Sequence, residues 1–301
     1  MKTAYYIGIM SGTSLDGIDA VLADLGSSSP SLLHTCYRPY DPDIRNRLLG
    51  LHLPGHDELH RASLIGNELA HHYAHAVAEL LAQSSVKAVE VAAIGCHGQT
   101  VRHCPQRGSG YTIQLYNPAL LVELTGITVV ADFRSRDIAA GGQGAPLVPA
   151  FHKMLFSHPK IHRAIVNIGG ISNITDLPPA GEVTGFDCGP GNIMMDAWCL
   201  RHTGRIYDNN GAWAASGRVI PTLLDKLLAS PFFSLPPPKS TGRENFNLVW
   251  LESCLSGDEH PADVAATLLQ LTATGIAESV SAHFPHAGEV YLCGGGARNS
   301  V

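Results

Sequence analysis

No run of about eighteen uncharged apolar residues exists in this 301-residue chain, so the sequence offers nothing to span a bilayer. An excess of positive charge is missing as well: 20 Lys and Arg stand against 26 Asp and Glu, a formal charge of −6. That balance gives no field to gather nucleic acid or an anionic membrane, and a small anionic ligand must be held by local groups. No CxxC pair occurs among the seven cysteines, whose odd number and scatter argue against a disulfide framework and for reduced thiols. The N-terminal residues carry one Lys and a short apolar run but no secretory cleavage signal. Together these absences predict a cytoplasmic protein that binds neither nucleic acid nor membrane. Charged residues are few (15%) and apolar ones many (45%), a globular composition with length enough for two domains.

What is present is an alternation of strands, helices and small-residue turns. Residues 5–9, 18–25 and 32–37 read as strands. Residues 57–83 carry Leu59, Leu64, Leu69, Ala76, Val77 and Leu80 at the spacing of a long amphipathic helix. Residues 91–96 read as a buried strand ending in His97-Gly-Gln-Thr100, which reads as a loop. Asn117-Pro118 supplies a cap and a first-turn proline for a helix, and 127–133 reads as a further strand. The Gly-rich segment 139–146 then breaks the pattern, and we divide the chain into an N-terminal lobe, 1–133, and a C-terminal lobe, 134–301. The pattern restarts with strands at 163–168, up to 177 and at 184–187, a helix from Asn192, a helix over 263–284 and a strand over 289–293. Both halves open with a hairpin whose turn is made of Gly, Ser, Thr or Asn, which reads as a diverged duplication of one α/β unit.

The first of these turns, within residues 8–19, holds the densest chemistry. Its glycines let backbone approach a ligand, and successive amides in a tight turn form an anion-binding nest. Ser11, Thr13 and Ser14 add hydroxyls, and Asp16 or Asp19 suits a Mg²⁺ held through water. A polar hairpin turn is the competing reading, but hairpins ordinarily need only two to five loop residues. No Gly-Lys-Ser/Thr follows, so it is not a Walker A loop. The nucleotide-binding candidates are Gly12, Thr13, Ser14, Asp16, Gly17 and Asp19, with Gly169 and Gly170 in the second turn and Gly294, Gly295 and Gly296 after the last strand. Asp187 stands at a strand end before Gly-Pro-Gly, where it reads either as a general base or as a cap on the helix from Asn192. Arg134 and Arg136 suit a bidentate grip on a substrate carboxylate, or are an exposed charged turn. His71, His72 and His75 share a helix face, yet without a carboxylate or third ligand placed as in HExxH a solvated face is preferred to a metal site.

Seven segments resemble, in order and over nearly the whole chain, the motif series of the anhydro-N-acetylmuramic acid kinases. They are Met10-Ser-Gly-Thr-Ser-Leu-Asp-Gly-Ile-Asp19, His97-Gly-Gln-Thr100, Ala131-Asp-Phe-Arg134, Asn167-Ile-Gly-Gly170, Phe186-Asp-Cys-Gly-Pro-Gly-Asn192, Pro237-Pro-Lys-Ser-Thr-Gly-Arg-Glu244 and Gly294-Gly-Gly296. The resemblance implies an α/β fold, a duplicated actin-like ATPase (ribonuclease H-like) core of two lobes with a nucleotide cleft between them. It implies ATP and Mg²⁺ as cofactors, Asp16 holding the ion through water, and a small sugar as substrate. His97, Arg134 and Arg136 would line the sugar pocket, and a homodimer is implied. The implied reaction opens the 1,6-anhydro ring of anhydro-N-acetylmuramic acid with water and phosphorylates the 6-oxygen, in cell-wall peptidoglycan recycling. Asp187 falls on the family's catalytic base. Family members continue past the glycine triplet with further helices, which are therefore expected to be absent from a chain that ends at Val301. A reading of another class is a nucleotide-binding relative without catalysis, acting as a regulatory or scaffolding protein.

Overall fold

The computed structural model describes residues 4–26, 30–105 and 109–301. The chain divides into two compact units, residues 1–144 and 145–301, with the division inside the Gly-rich segment.

In the first unit β1 (Tyr5–Ser11), β2 (Gly17–Asp24) and β3 (Ser31–Pro39) form an antiparallel meander, followed by α1 (Pro42–Leu49) and α2 (Glu58–Gln83). Next come β4 (Val91–Cys104), β5 (Tyr111–Leu115), α3 (Pro118–Thr125), β6 (Val129–Val130) and α4 (Phe133–Ala139). β4 runs parallel to β1 and pairs with β6 in its first half and β5 in its second. The expected long helix is present, but its buried stripe runs through Ile65, Leu69, Tyr73, Ala76, Val77 and Leu80. Leu59 and Leu64 stand 86% and 54% exposed, because the stripe follows Tyr73 rather than the first leucines. The stripe packs on Ile7, Ile9 and Leu22 of the sheet. Asn117 caps α3, its side chain accepting from the Leu120 amide at 3.0 Å.

Two expectations fail here for identifiable reasons. The His97-Gly-Gln-Thr100 segment is no loop, since β4 passes straight through it. Gly98 takes a left-handed φ of +74° and makes a bulge where the β1 register shifts, so the strand bends without ending. The strand expected over 127–133 shrinks to β6, because Asp132 adopts φ +63° and α4 begins at Phe133. Arg134 and Arg136 are therefore helical residues and not a turn after a strand.

The second unit opens with α5 (Pro149–Phe156), then the meander β7 (Arg163–Ile168), β8 (Ile171–Leu177) and β9 (Thr184–Pro190), then α6 (Asn192–Thr203). α7 (Pro221–Leu228), α8 (Pro231–Ser234), α9 (Leu248–Cys254) and α10 (Pro261–His283) precede β10 (Glu289–Cys293), which lies parallel to β7. Both sheets thus place the third, second, first and fourth strands of their unit side by side, with the fourth parallel to the first. That repeated topology is a duplicated ribonuclease H-like, actin-like ATPase core. Ala164, Val166, Ile174, Phe186 and Cys188 face Phe284, Ile276 and Val280 at the end of α10. On the opposite face α5 sets the buried His152 ring 2.9 Å from the Thr175 hydroxyl. Among the described residues no helix is long and apolar enough to cross a membrane.

A side chain at Gly98 would need a left-handed backbone and would press its Cβ into the Tyr116 ring. We expect Gly98→Ala to cost about 2–4 kcal/mol, from the backbone penalty and overpacking together, read as a lower denaturant midpoint. An unchanged midpoint would show that the bulge is dispensable.

Candidate functional site

In the first unit β1 delivers Ser11 to the interior, where its hydroxyl meets that of the buried Tyr73 at 2.9 Å. The chain then turns outward through Gly12, Thr13 and Ser14. Fully buried Gln99 on β4 donates its side-chain amide to the Gly12 carbonyl at 3.0 Å. Leu15 enters the core at φ +57°, and its amide donates to the same carbonyl at 3.2 Å. The Tyr40 amide and the Tyr37 hydroxyl both donate to the Asp16 carbonyl, at 2.9 and 3.1 Å. The turn is thus tied down at the Gly12 and Asp16 carbonyls, which fixes the course of its backbone. Gly17 is buried within β2 against the backbone of Arg38 and Pro39, so it shapes the exit of the turn.

The carboxylates lie together beyond it. Ser14 donates its hydroxyl to Asp16 Oδ1 at 2.5 Å. The Asp19 carboxyl is held above the usual carboxylate range, first by desolvation in the wall of the turn and second by the charge of Asp16. Among the described residues no three His, Cys, Asp or Glu side chains converge as a metal cage. Two neighbouring carboxylates suit an ion that keeps most of its own waters.

His97 and Arg134 come together, though not in a loop. Arg134 Nε donates to His97 Nε2 at 2.8 Å, and a terminal nitrogen donates to the Gly144 carbonyl. With Nε2 accepting, the ring proton sits on Nδ1 and is donated to the Gly98 carbonyl at 2.6 Å. Burial and then the Arg134 charge push the His97 pKa down to about 4, so the ring is neutral. Arg136 stands exposed on α4, and Asp137 accepts from the Gly144 amide at 2.7 Å. Arg134 and Asp137 thus fasten the Gly-rich segment onto α4.

In the second unit the two remaining glycine turns meet. The Gly294–Gly296 stretch lies on the end of β7, where a Cβ on Gly294, at φ +84°, would sit 2.7 Å from both Asn167 Oδ1 and the Ile168 carbonyl oxygen. The Gly169 carbonyl accepts from the Asn192 amide at 2.8 Å, and the Gly170 carbonyl from Gly191 and Ile193 at 2.9 and 3.0 Å. Those bonds satisfy the opening amides of α6, so this helix start is not what a phosphate would meet.

Asp187 is 3% exposed on β9. Its Oδ2 accepts from the Thr241 amide at 2.9 Å, and its own amide donates to the Lys239 carbonyl at 3.0 Å. The cap residue of α6 is Gly191, with no side-chain acceptor, which disposes of the helix-cap reading of Asp187. Lys239 is buried, donating to the Phe232 and Phe233 carbonyls at 3.2 Å each, and its pKa is lowered by that burial. Sequence reasoning passed over three of these residues. Gln99 lay inside a motif read as a loop. Thr241 and Lys239 lay in a segment noted only for its resemblance, and the one available signal was a lysine and a threonine within a proline- and glycine-rich stretch.

The profile of a family described as anhydro-N-acetylmuramic acid kinase matches residues 4–301. The chain belongs to that family. A kinase of this name from Nitrosospira multiformis is 67% identical over 300 residues, covering 100% of this chain and 82% of the relative. One from Nitrosomonas europaea is 65% identical over 297 residues, covering 99% of this chain and 82% of the relative. Among solved structures, a ROK family glucokinase from Streptomyces griseus in complex with glucose and AMPPNP is 13% identical with a TM-score of 0.38, covering 97% of this chain and 83% of that one. Within this anhydro-N-acetylmuramic acid kinase family member, the Pro237–Glu244 motif lies in the connection between α8 and α9 and brings Lys239 and Thr241 to Asp187.

The neutral state of His97 has a measurable sign. Its pKa is lowered from 6.5 to about 4, so its contribution to stability is present above pH 6.5 and is lost as pH falls toward 4. We expect its ring resonances to stay flat from neutral pH down to about 5 and to titrate near 4, assigned with a His97→Asn variant. A midpoint near 6.5 would mean that the ring is neither buried nor held by Arg134.

Proposed function

We infer that the protein is an ATP-dependent kinase that opens the anhydro ring of 1,6-anhydro-N-acetylmuramic acid with water and phosphorylates the freed 6-oxygen. N-acetylmuramic acid 6-phosphate and ADP are the products, and peptidoglycan recycling is the setting. The observation that carries this reading is the family match over residues 4–301, with relatives 67% and 65% identical bearing the kinase name. A binding-only role draws no support from those relatives.

Asp187 is the general base in this reading. Its carboxylate takes one hydrogen of a water whose oxygen bonds to the anomeric carbon, C1. The C1–O6 bond breaks, and O6 takes the γ-phosphoryl group as ADP leaves. Making the leaving oxygen the phosphoryl acceptor lets ring opening feed the transfer directly. The Thr241 amide on Oδ2 fixes the carboxylate plane, so the base is oriented before substrate arrives.

The turn from Gly12 to Asp19, tied inward at the Gly12 and Asp16 carbonyls, takes the ATP phosphates through its backbone, with Thr13 and Ser14 in its wall and the Ser14 hydroxyl turned to Asp16. Asp16 would hold Mg²⁺ through water, beside Asp19, whose carboxyl is raised by desolvation and then by the Asp16 charge. The ion would neutralise phosphate charge. Gly169, Gly170 and Gly294–Gly296 are the second unit's nucleotide contacts. Of the sugar-reading candidates, Arg136 is the exposed cation for the substrate carboxylate, while Arg134 is held on the same helix by its bond to the His97 ring.

ADP release should depend on the anhydrosugar, and Asp187→Asn should lower turnover by about 10² to 10⁴ while ATP binding persists. Asn keeps an oxygen for the Thr241 amide, so the fold should survive. Sugar-independent ADP release, or near-normal turnover of the Asn variant, sinks this reading.

Gly12 has room for a side chain, its nearest foreign atom being Ser14 Oγ at 3.4 Å from a built Cβ. Gly12→Val should therefore fold normally and lose ATP affinity by about tenfold or more, since backbone approach to the phosphates is blocked. Calorimetric titration giving an unaltered Kd would remove this turn from the nucleotide site.

A further inference from the structure

Asn173 on β8 is paired directly with Asn167 of β7 on one side and with Asp187 of β9 on the other. Directly opposed residues of antiparallel strands turn their side chains to one face, with Cβ atoms about 4.5–5.5 Å apart. Asn167, Asn173 and Asp187 therefore make a single row across three strands. It lies on the face opposite Ala164, Val166, Ile174 and Phe186, which pack toward α10. One step along the strands, Ile165, Thr175 and Gly185 form the next row on that face, and there α5 covers the sheet through His152 and Pro149.

The Asn173 side-chain oxygen, Oδ1, is buried and has no hydrogen-bond partner within the protein. Native structures rarely leave such an atom unpaired, because its lost hydration is not recovered. Its row neighbour Asn167 makes no hydrogen bond to it, and two donors placed beside Asp187 are committed elsewhere. The Thr241 amide goes to Asp187, and Lys239 Nζ goes to the Phe232 and Phe233 carbonyls. The row thus presents an unpaired acceptor beside Asp187, the carboxylate read as the base.

A water activated by one carboxylate is poorly defined, because it can spin about that single hydrogen bond. A second acceptor fixes both O–H bonds and so aims the lone pair. We propose that Asn173 Oδ1 accepts the second O–H of the water that Asp187 deprotonates, and so positions that water for attack. This rests on the reading of Asp187 as the base. In the step, one hydrogen passes to the Asp187 carboxylate and the oxygen bonds to C1. The C1–O6 bond breaks, O6 attacks the γ-phosphorus, and ADP departs with the bridging electron pair. The other hydrogen stays on the new C1 hydroxyl, still bonded to Asn173. A neutral amide suits this place, since it accepts without competing for the proton.

The test compares the unaltered full chain with Asn173→Ala, Asp187→Asn and the double variant, by steady-state kinetics and thermal unfolding. For Asn173→Ala we expect kcat to fall about 10- to 100-fold, as for a misaligned reactant, with both KM values nearly unchanged. Its Tm should not fall, because an unpaired buried oxygen has been removed. The double variant should be no slower than Asp187→Asn alone, both side chains acting on one water. A kcat within about twofold of normal, beside a slow Asp187→Asn, overturns the role of Asn173 and leaves the base intact. A lowered Tm with a raised sugar KM would make Asn173 a structural or ground-state contact and also overturn it. Near-normal turnover of Asp187→Asn removes the base, and this inference with it.

Discussion

The chemistry proposed for the second unit depends on the register of three antiparallel strands. Asn167, Asn173 and Asp187 share a row because Val166 meets Ile174, which meets Phe186, one position away on the apolar face. Those residues are driven against Phe284 by the burial of aromatic and branched side chains. A slip of one residue would exchange the faces, sending Asp187 into that core and Phe186 out of it. The hydrophobic face thus sets the position of the polar one. A bulge between Ser172 and Asn173 closes the row at its end, where the strands leave the cover of α5.

The first unit reaches a comparable end by a different device. There the phosphate-turn candidate is steadied from a neighbouring strand, by the Gln99 amide on the Gly12 carbonyl. Gln99 is aimed at it because Gly98 bulges β4, and the same glycine carbonyl receives the His97 ring proton. Three consecutive residues therefore serve a turn, a bend and an arginine. Their side chains point in directions that an unbroken strand would not permit.

Much of this was legible in the residues. Short apolar runs with clean boundaries marked β7 and β10, which run as Arg163–Ile168 and Glu289–Cys293, and the Asn-Pro pair marked α3. The duplicated hairpins were also visible, whereas Asp187, expected at a strand end, lies inside β9, which runs on through Cys188-Gly-Pro190. What failed turned on single backbone angles, at Gly98 and Asp132, because a left-handed residue can either bend a strand or end it and composition does not say which. Local reading also cannot see partners distant in sequence. Thr241 reaches Asp187 across 54 positions and Gln99 reaches Gly12 across 87, and neither spacing carries a periodic signal. Asn173 was hidden differently, as a polar residue in the middle of a strand whose meaning appears only when its unpaired oxygen is seen.

The bonds from Gly169 and Gly170 to the start of α6 also make the hairpin and the helix one mechanical piece. Trp198 on α6 donates to the Pro261 carbonyl at 2.8 Å, and the Thr272 hydroxyl on α10 bonds the Pro190 and Gly191 carbonyls at 3.0 Å each. A ligand that displaced the glycine turn would have to carry α6 with it and lean on α10 at two points. The turn therefore behaves less like a hinged flap than like the short arm of a lever, and load applied there is borne by the longest helix of the unit.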